Sequence, residues 1–121
     1  MTFDDIREIA LSFPEVEEYD LFGTPAYRIR KRLLVCRAKV ADDTVMLKVP
    51  SKLEREFLLS SQPDIYWMAP HYENYDCLLV RMPLMDAGEF RELFEGAWRT
   101  YAPKKVVAAY DAVSEGSNPN D

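Results

Sequence analysis

The 121-residue chain reads as one α+β domain, an antiparallel sheet packed against helices in the order α-β(3)-α-β(2)-α. Three observations predict this. Apolar residues recur at helical spacing behind good N-caps. Short alternating or continuous apolar runs lie between those stretches. The turns inside each group of runs are too short for parallel crossovers, so the strands meander.

Each element has a local cause. Thr2 is a good N-cap, with Asp5 at N3 as an acidic variant of the capping box. Phe3, Ile6, Ile9, Ala10 and Phe13 form one helical face, and Pro14 ends the helix. Residues 15–24 read as an acidic connection ending near Gly23. Ala26–Arg30 then alternates, placing Tyr27 and Ile29 on one face and Arg28 and Arg30 on the other. Leu33–Cys36 reads as a more central strand, covered on both sides. In Thr44–Val49, Val45, Leu47 and Val49 face inward and Met46 and Lys48 outward. Lys31-Arg32 and Ala41–Asp43 are the expected turns.

Ser51 caps the second helix, with Glu54 completing a capping box. Leu53, Phe57 and Leu58 are its expected buried side, and residues 60–63 stop it. Residues 65–68 and 77–82 read as two further strands around an aromatic-rich turn. Asp86, with Glu89 at N3, caps the strongest helix, in which Ala87, Phe90, Leu93, Phe94, Ala97, Trp98 and Tyr101 follow the 3.6-residue period. Pro103 interrupts it, and Val106, Val107, Tyr110 and Val113 suggest a short last helix. A single domain is thus expected over residues 1–113, with 114–121 as a disordered tail.

Composition narrows the function classes. Hydrophobic residues make up 48% and charged residues 30% of the chain, which fits a globular domain rather than a disordered one. The N-terminus has neither a basic n-region nor an apolar h-region, and no apolar run approaches ~18 residues. The expected address is therefore the cytoplasm, with no membrane partner. Cys36 and Cys77 lie in apolar strand-like runs without a C-x-x-C pattern, so both are expected as buried thiols rather than a metal or redox pair.

The net charge of −6 is uneven. Residues 1–25 carry seven acids and one base, and residues 56–121 carry eleven acids and five bases. Residues 26–55 hold nine bases and three acids, a local +6. The Debye length is about 8 Å at physiological ionic strength, so a basic face set apart from acidic ones acts locally. Arg28, Arg30 and Lys48 on strand faces, with Lys31 and Arg32 at a hairpin tip, form a candidate phosphate-contacting surface. The competing expectation pairs these bases with Glu15, Glu17 and Glu18.

No catalytic motif is legible. His71 stands alone in Pro70-His71-Tyr72 and lacks an activated Ser or Cys partner, although Glu73 or Asp76 could orient it. A lone His in such a turn is commonly a structural residue bonded to backbone. No phosphate loop, dinucleotide fingerprint or metal-ligand spacing is present, so no cofactor or metal is expected. Trp67, Tyr72 and Tyr75, with His71, are either turn packing or the wall of a small-ligand site that stacks a planar group.

Several segments together resemble one family. Phe22-Gly23-Thr24-Pro25-Ala26-Tyr27-Arg28-Ile29 is followed by Leu47-Lys48-Val49, Pro70-His71-Tyr72, Tyr75 and Leu79-Val80-Arg81. Ala97-Trp98 and Ala102-Pro103-Lys104-Lys105 complete the set. In order and spacing these resemble the MmcQ/YjbR family over about residues 3–110. The resemblance implies a secretion-chaperone-like, double-wing fold and a DNA-binding role, and it carries no catalytic residues over. The leading expectation is a non-enzymatic DNA-binding module using Arg28, Arg30, Lys31, Arg32 and Lys48. A protein-interaction module, monomeric or weakly homodimeric, is the second. A small-ligand site around Trp67, His71, Tyr72 and Tyr75 is the third.

Overall fold

The computed structural model describes residues 1–116. It is an α+β fold built on a six-stranded, wholly antiparallel sheet. The chain runs α1 (Phe3–Leu11), β1 (Val16–Leu21), β2 (Thr24–Ile29), β3 (Arg32–Arg37), β4 (Thr44–Lys48) and α2 (Lys52–Ser61). It continues through β5 (Tyr66–Trp67), β6 (Cys77–Arg81), α3 (Ala87–Tyr101) and α4 (Lys104–Gly116), with 3-10 turns at Pro70–Tyr72 and Met82–Leu84. The spatial order is β1-β2-β3-β4-β6-β5.

The expected caps are present. Thr2 Oγ1 accepts from the Asp5 amide at 3.2 Å while Asp5 accepts from the Thr2 amide at 2.8 Å. Ser51 and Asp86 accept from the amides of Glu54 and Glu89. Each cap satisfies a helix-end donor that would otherwise need water.

The first strand group has four members, not three. Residues 16–21, expected as part of an acidic connection, form β1, which pairs with β2 from Val16↔Ile29 to Leu21↔Thr24. The sequence Val-Glu-Glu-Tyr-Asp-Leu lacks clean alternation, but its carboxylates suit an edge strand beside a basic one. The connecting two-residue hairpin, Phe22-Gly23, has φ of 52° and 88°. That is the backbone of a type I′ turn, which matches the strand twist and normally calls for Asn-Gly. At the next hairpin Ile29 pairs with Arg32, so the loop is Arg30-Lys31, one residue earlier than expected. Arg30 takes φ of 57° there, a conformation that costs a non-glycine residue roughly 1–2 kcal/mol.

One sheet face carries the helices and the main core. Tyr27, Ile29, Val35, Leu47, Leu78 and Val80 meet Ile6, Phe90, Phe94 and Trp98. The register steps between Tyr27 and Arg28, leaving Leu34 without a Cα partner, so Leu34 and Val35 both reach this face. Trp98 Nε1 donates to the Pro14 carbonyl at 3.0 Å, and Phe13 packs against Phe94 and Trp98 with centroids 5.3 and 5.5 Å away. This locks α3 over α1.

The opposite face is not simply solvated. Met46, expected to point outward, does leave the helix side but is buried with Ala38, Cys77 and Leu79 beneath Tyr72 and Trp67. The face of α2 also differs from expectation. Leu53 and Phe57 are 81% and 69% exposed, while Arg55 and Leu58 are buried. Arg55, Leu58, Leu59 and Gln62 form the inward stripe at i, i+3, i+4 and i+7. Helix α4 runs on to Gly116, past the expected end at 113. The remainder of the expected tail, 117–121, lies outside the described residues.

Candidate nucleic-acid hairpin and adjoining cleft

The nine central bases do not share one face. Arg28 Nε donates to Glu17 at 2.7 Å, and its Cζ lies 4.1 Å from the Tyr19 ring centroid. Arg30 Nε donates to Glu15 at 2.6 Å. Both pairs follow from β1 lying beside β2, which brings Glu17 opposite Arg28. Arg55 is buried. Arg37, the last residue of β3, sits over Phe3, and Lys39, just past the strand, over Phe22. Arg32 and Arg37 are separated by about 16 Å of strand, about two Debye lengths.

Lys52, at the start of α2, lines neither the groove nor the cleft described below, and the other three form a compact group at one end of the sheet. Lys31 and Arg32 are exposed, and among the described residues neither they nor Lys48 pair with a carboxylate. Arg28, Arg30, Lys31 and Arg32 line one shallow groove together with Glu17. The tight hairpin makes this arrangement, since a two-residue loop leaves its flanking side chains no other place.

Beside the groove lies a cleft of ≈ 370 Å³, within the ~300–1,000 Å³ typical of small-ligand sites. Its floor is the face of the sheet away from the helices, formed by Leu33, Cys36, Met46 and Cys77. Its walls are His71, Tyr72, Tyr75 and Tyr101, and Arg32 and Lys48 stand at its rim. Two groups of expected site residues are therefore brought together, with Arg32 common to groove and cleft. Trp67 is left out. It packs over the second apolar cluster under the Arg81 guanidinium, 5.0 Å from its ring, and its Nε1 is buried with no hydrogen-bond partner.

His71 does not have the backbone-bonded role expected of a lone turn histidine. It is exposed and meets Tyr72 edge-on, 4.9 Å between centroids. Tyr101, read from the sequence as core, ends α3 at the cleft and donates its hydroxyl to the Val49 carbonyl at 3.2 Å. Lys48 Nζ and Arg32 Cζ each lie 5.8 Å from a ring centroid, of Tyr75 and Tyr101 respectively.

The cleft wall has a hidden support in Arg55. Its Nη1 donates to the carbonyls of Tyr75 at 2.7 Å and Cys77 at 3.3 Å, and its Nη2 to that of Glu73 at 3.2 Å. This ties α2 to the loop carrying Tyr75. The signal in the sequence was the position of Arg55, three residues before Leu58 on the inward stripe, where a cation must find acceptors.

Burial pushes the Cys36 thiol up to about 11, aided by neighbouring Cys77 and offset in part by Lys48 and Lys39. Burial also raises Cys77, against Lys48 and Arg55. A protonated thiol is a poor nucleophile. Strand β4 lies between β3 and β6, setting the two cysteines about 10 Å apart, too far for a disulfide. Among the described residues no cluster of His, Cys, Asp and Glu could hold a metal, and no helix is long and apolar enough to cross a membrane.

Comparison with known proteins agrees with this architecture. A family model described as YjbR matches residues 11–100. The uncharacterized proteins Mb2600 of Mycobacterium bovis and Rv2570 of Mycobacterium tuberculosis are each 32% identical over 72 residues, 60% of this chain and 56% of theirs. The matched stretch thus spans only about half the length of these relatives. The crystal structure of Deinococcus radiodurans protein DR2400, a DUF419 domain, superposes with a TM-score of 0.67 at 21% identity. That likeness covers 80% of this chain and 75% of the other and is one of fold.

The raised thiols give a pH dependence. An unfolded cysteine ionises near 9.0, whereas folded Cys36 keeps its proton to about 11. The stabilisation is complete below about pH 9 and is lost as pH rises through about 11, because the unfolded chain releases its proton first. Melting temperature should fall across that window. Of the two thiols expected to be buried, only Cys77 is; Cys36 is half-buried at the cleft floor. At pH 8 Cys77 should react with a thiol reagent far more slowly in the native protein than in the denatured chain; equal rates would contradict its burial.

Proposed function

The chain belongs to the YjbR family, and we propose that it is a non-catalytic nucleic-acid-binding module whose β2–β3 hairpin lies along phosphates. The observation that carries this is Lys31 at the hairpin tip and Arg32 beside it at the start of β3, neither paired with a carboxylate among the described residues, in one groove with Arg28 and Arg30, while Arg32 also shares the cleft with Lys48. Phosphate contacts require cations whose partners are not already in place. The Arg28–Glu17 and Arg30–Glu15 pairs reduce the effective charge from that expected of the sequence segment. The left-handed backbone at Arg30 is of the kind often kept at binding sites despite its cost.

With Lys31, Arg32 and Lys48 each neutralising one phosphate, log affinity for duplex DNA should fall against log salt with a slope of about −2.7. Fluorescence anisotropy across ~50–200 mM salt reads this directly. Lys31→Ala should make the slope shallower by about one, and Glu17→Gln, which frees Arg28, should steepen it. Absence of duplex binding by the parent chain at ~50 mM salt would defeat the proposal.

Leu53 and Phe57, exposed one turn apart on α2, favour protein interaction as the second reading. They supply an apolar pair with no cover among the described residues. Self-association through this face predicts a concentration-dependent shift toward dimer in gel filtration, abolished by Phe57→Asp. A parent chain that stays monomeric at every concentration removes the homodimer.

A further inference from the structure

The cleft is built unlike the groove beside it. A groove of arginines and lysines suits a polyanion but has no apolar floor and no aromatic wall in its lining. The cleft adds an apolar floor, tyrosine walls and two cations, and among the described residues no carboxylate lines it. An uncharged apolar ligand would leave Arg32 and Lys48 unused at the rim, and a bare inorganic anion would leave the apolar floor and the tyrosine rings unused. A planar aromatic group joined to an anion uses both parts.

We infer that this cleft receives the base of one unpaired nucleotide and that Arg32 and Lys48 hold the adjoining phosphate. The inference rests on the nucleic-acid reading of the hairpin, because Arg32 belongs to both surfaces. A strand following Arg28, Arg30 and Lys31 arrives at Arg32 and, beyond it, at the cleft. The walls are set for stacking. The Tyr101 hydroxyl donates to the Val49 carbonyl, and the backbone of Tyr72 is held by its N–H donating to the Ala69 carbonyl at 3.0 Å. Tyr75 is 54% exposed although its backbone is clamped by Arg55, so its ring is free to meet a ligand. Duplex bases are already stacked and paired and cannot enter without being extruded. The site therefore favours single strands, and it does so without a base code, since every base has a face to stack.

The test uses the whole chain and three probes: adenosine 5′-monophosphate, a single-stranded oligonucleotide and the matching duplex, each titrated by anisotropy or calorimetry. Expected is a preference for single strand over duplex of about tenfold or more, the range of one stacked base. Tyr75→Ala should remove that preference and leave duplex affinity unchanged, while Tyr75→Phe, which keeps the ring, should retain it. Lys31→Glu should weaken both polymers. If single strand and duplex bind the parent chain equally and Tyr75→Ala changes neither, the cleft takes no base and the hairpin reading alone stands. If the monophosphate binds and neither polymer does, the hairpin reading fails and the strand as the source of the nucleotide falls with it. If no probe binds, both are overturned.

Discussion

A buried guanidinium organises the functional end of this fold. Arg55 is 7% exposed and spends its hydrogen bonds on three backbone carbonyls, those of Glu73, Tyr75 and Cys77. A buried cation without such acceptors would cost several kcal/mol. The nearest carboxylate oxygen, on Glu56, is 3.8 Å from its Nε, which lacks a hydrogen bond. Carbonyl dipoles therefore carry most of the compensation. The planar fork is what reaches three carbonyls at once; a lysine ammonium offers no such span. Because those carbonyls belong to the loop leading into β6, the same contact fixes the start of a central strand and the wall of the cleft. The Val49 amide completes the arrangement by donating to Asp76 at 3.0 Å.

The charge distribution follows from strand order. β1 is acidic and β2 basic, and their antiparallel register sets Glu17 against Arg28. This pairing is worth little as stability, since exposed ion pairs contribute about 0–1 kcal/mol. Its larger effect is to determine which cations stay available. Of the cations of residues 26–55 left without a carboxylate partner among the described residues, Lys31, Arg32 and Lys48 gather where the hairpin meets the cleft, whereas Arg37, Lys39 and Lys52 line neither groove nor cleft. Cross-strand neutralisation along the edge, rather than net charge, decides where an anion is drawn.

Much of the fold was legible because it is locally specified. Thr2, Ser51 and Asp86 cap their helices as read, and the period of α3 delivers Phe90, Phe94 and Trp98 to the core. The strands β2, β3, β4 and β6 are apolar enough to declare themselves. β1 was not legible, because an edge strand draws its stability from a neighbour and its acidic residues mimic a loop. The inward face of α2 was misread because Leu53 and Phe57 look like core, while the buried position belongs to Arg55. No pattern within the helix reveals that three carbonyls 18 to 22 residues along the chain, and adjacent in space, will accept from it. The candidate site residues were named individually, but their joining through Arg32, and the parts played by Tyr101, Cys36 and Cys77, depend on tertiary placement.

If Arg55 holds the cleft wall through backbone carbonyls, hydrogen exchange in an Arg55→Lys variant tests it most directly. The substitution keeps the charge and removes the fork. Amides in the loop, those of Glu73, Tyr75 and Cys77, which donate to Pro70, Tyr72 and Tyr75, should exchange at least tenfold faster, as loss of a charged hydrogen bond of about 1.5–3 kcal/mol implies. Amides in β3 and β4 should keep their parent rates. Unchanged exchange in the loop, or the same acceleration in every strand, would contradict a local role for Arg55 in building the site.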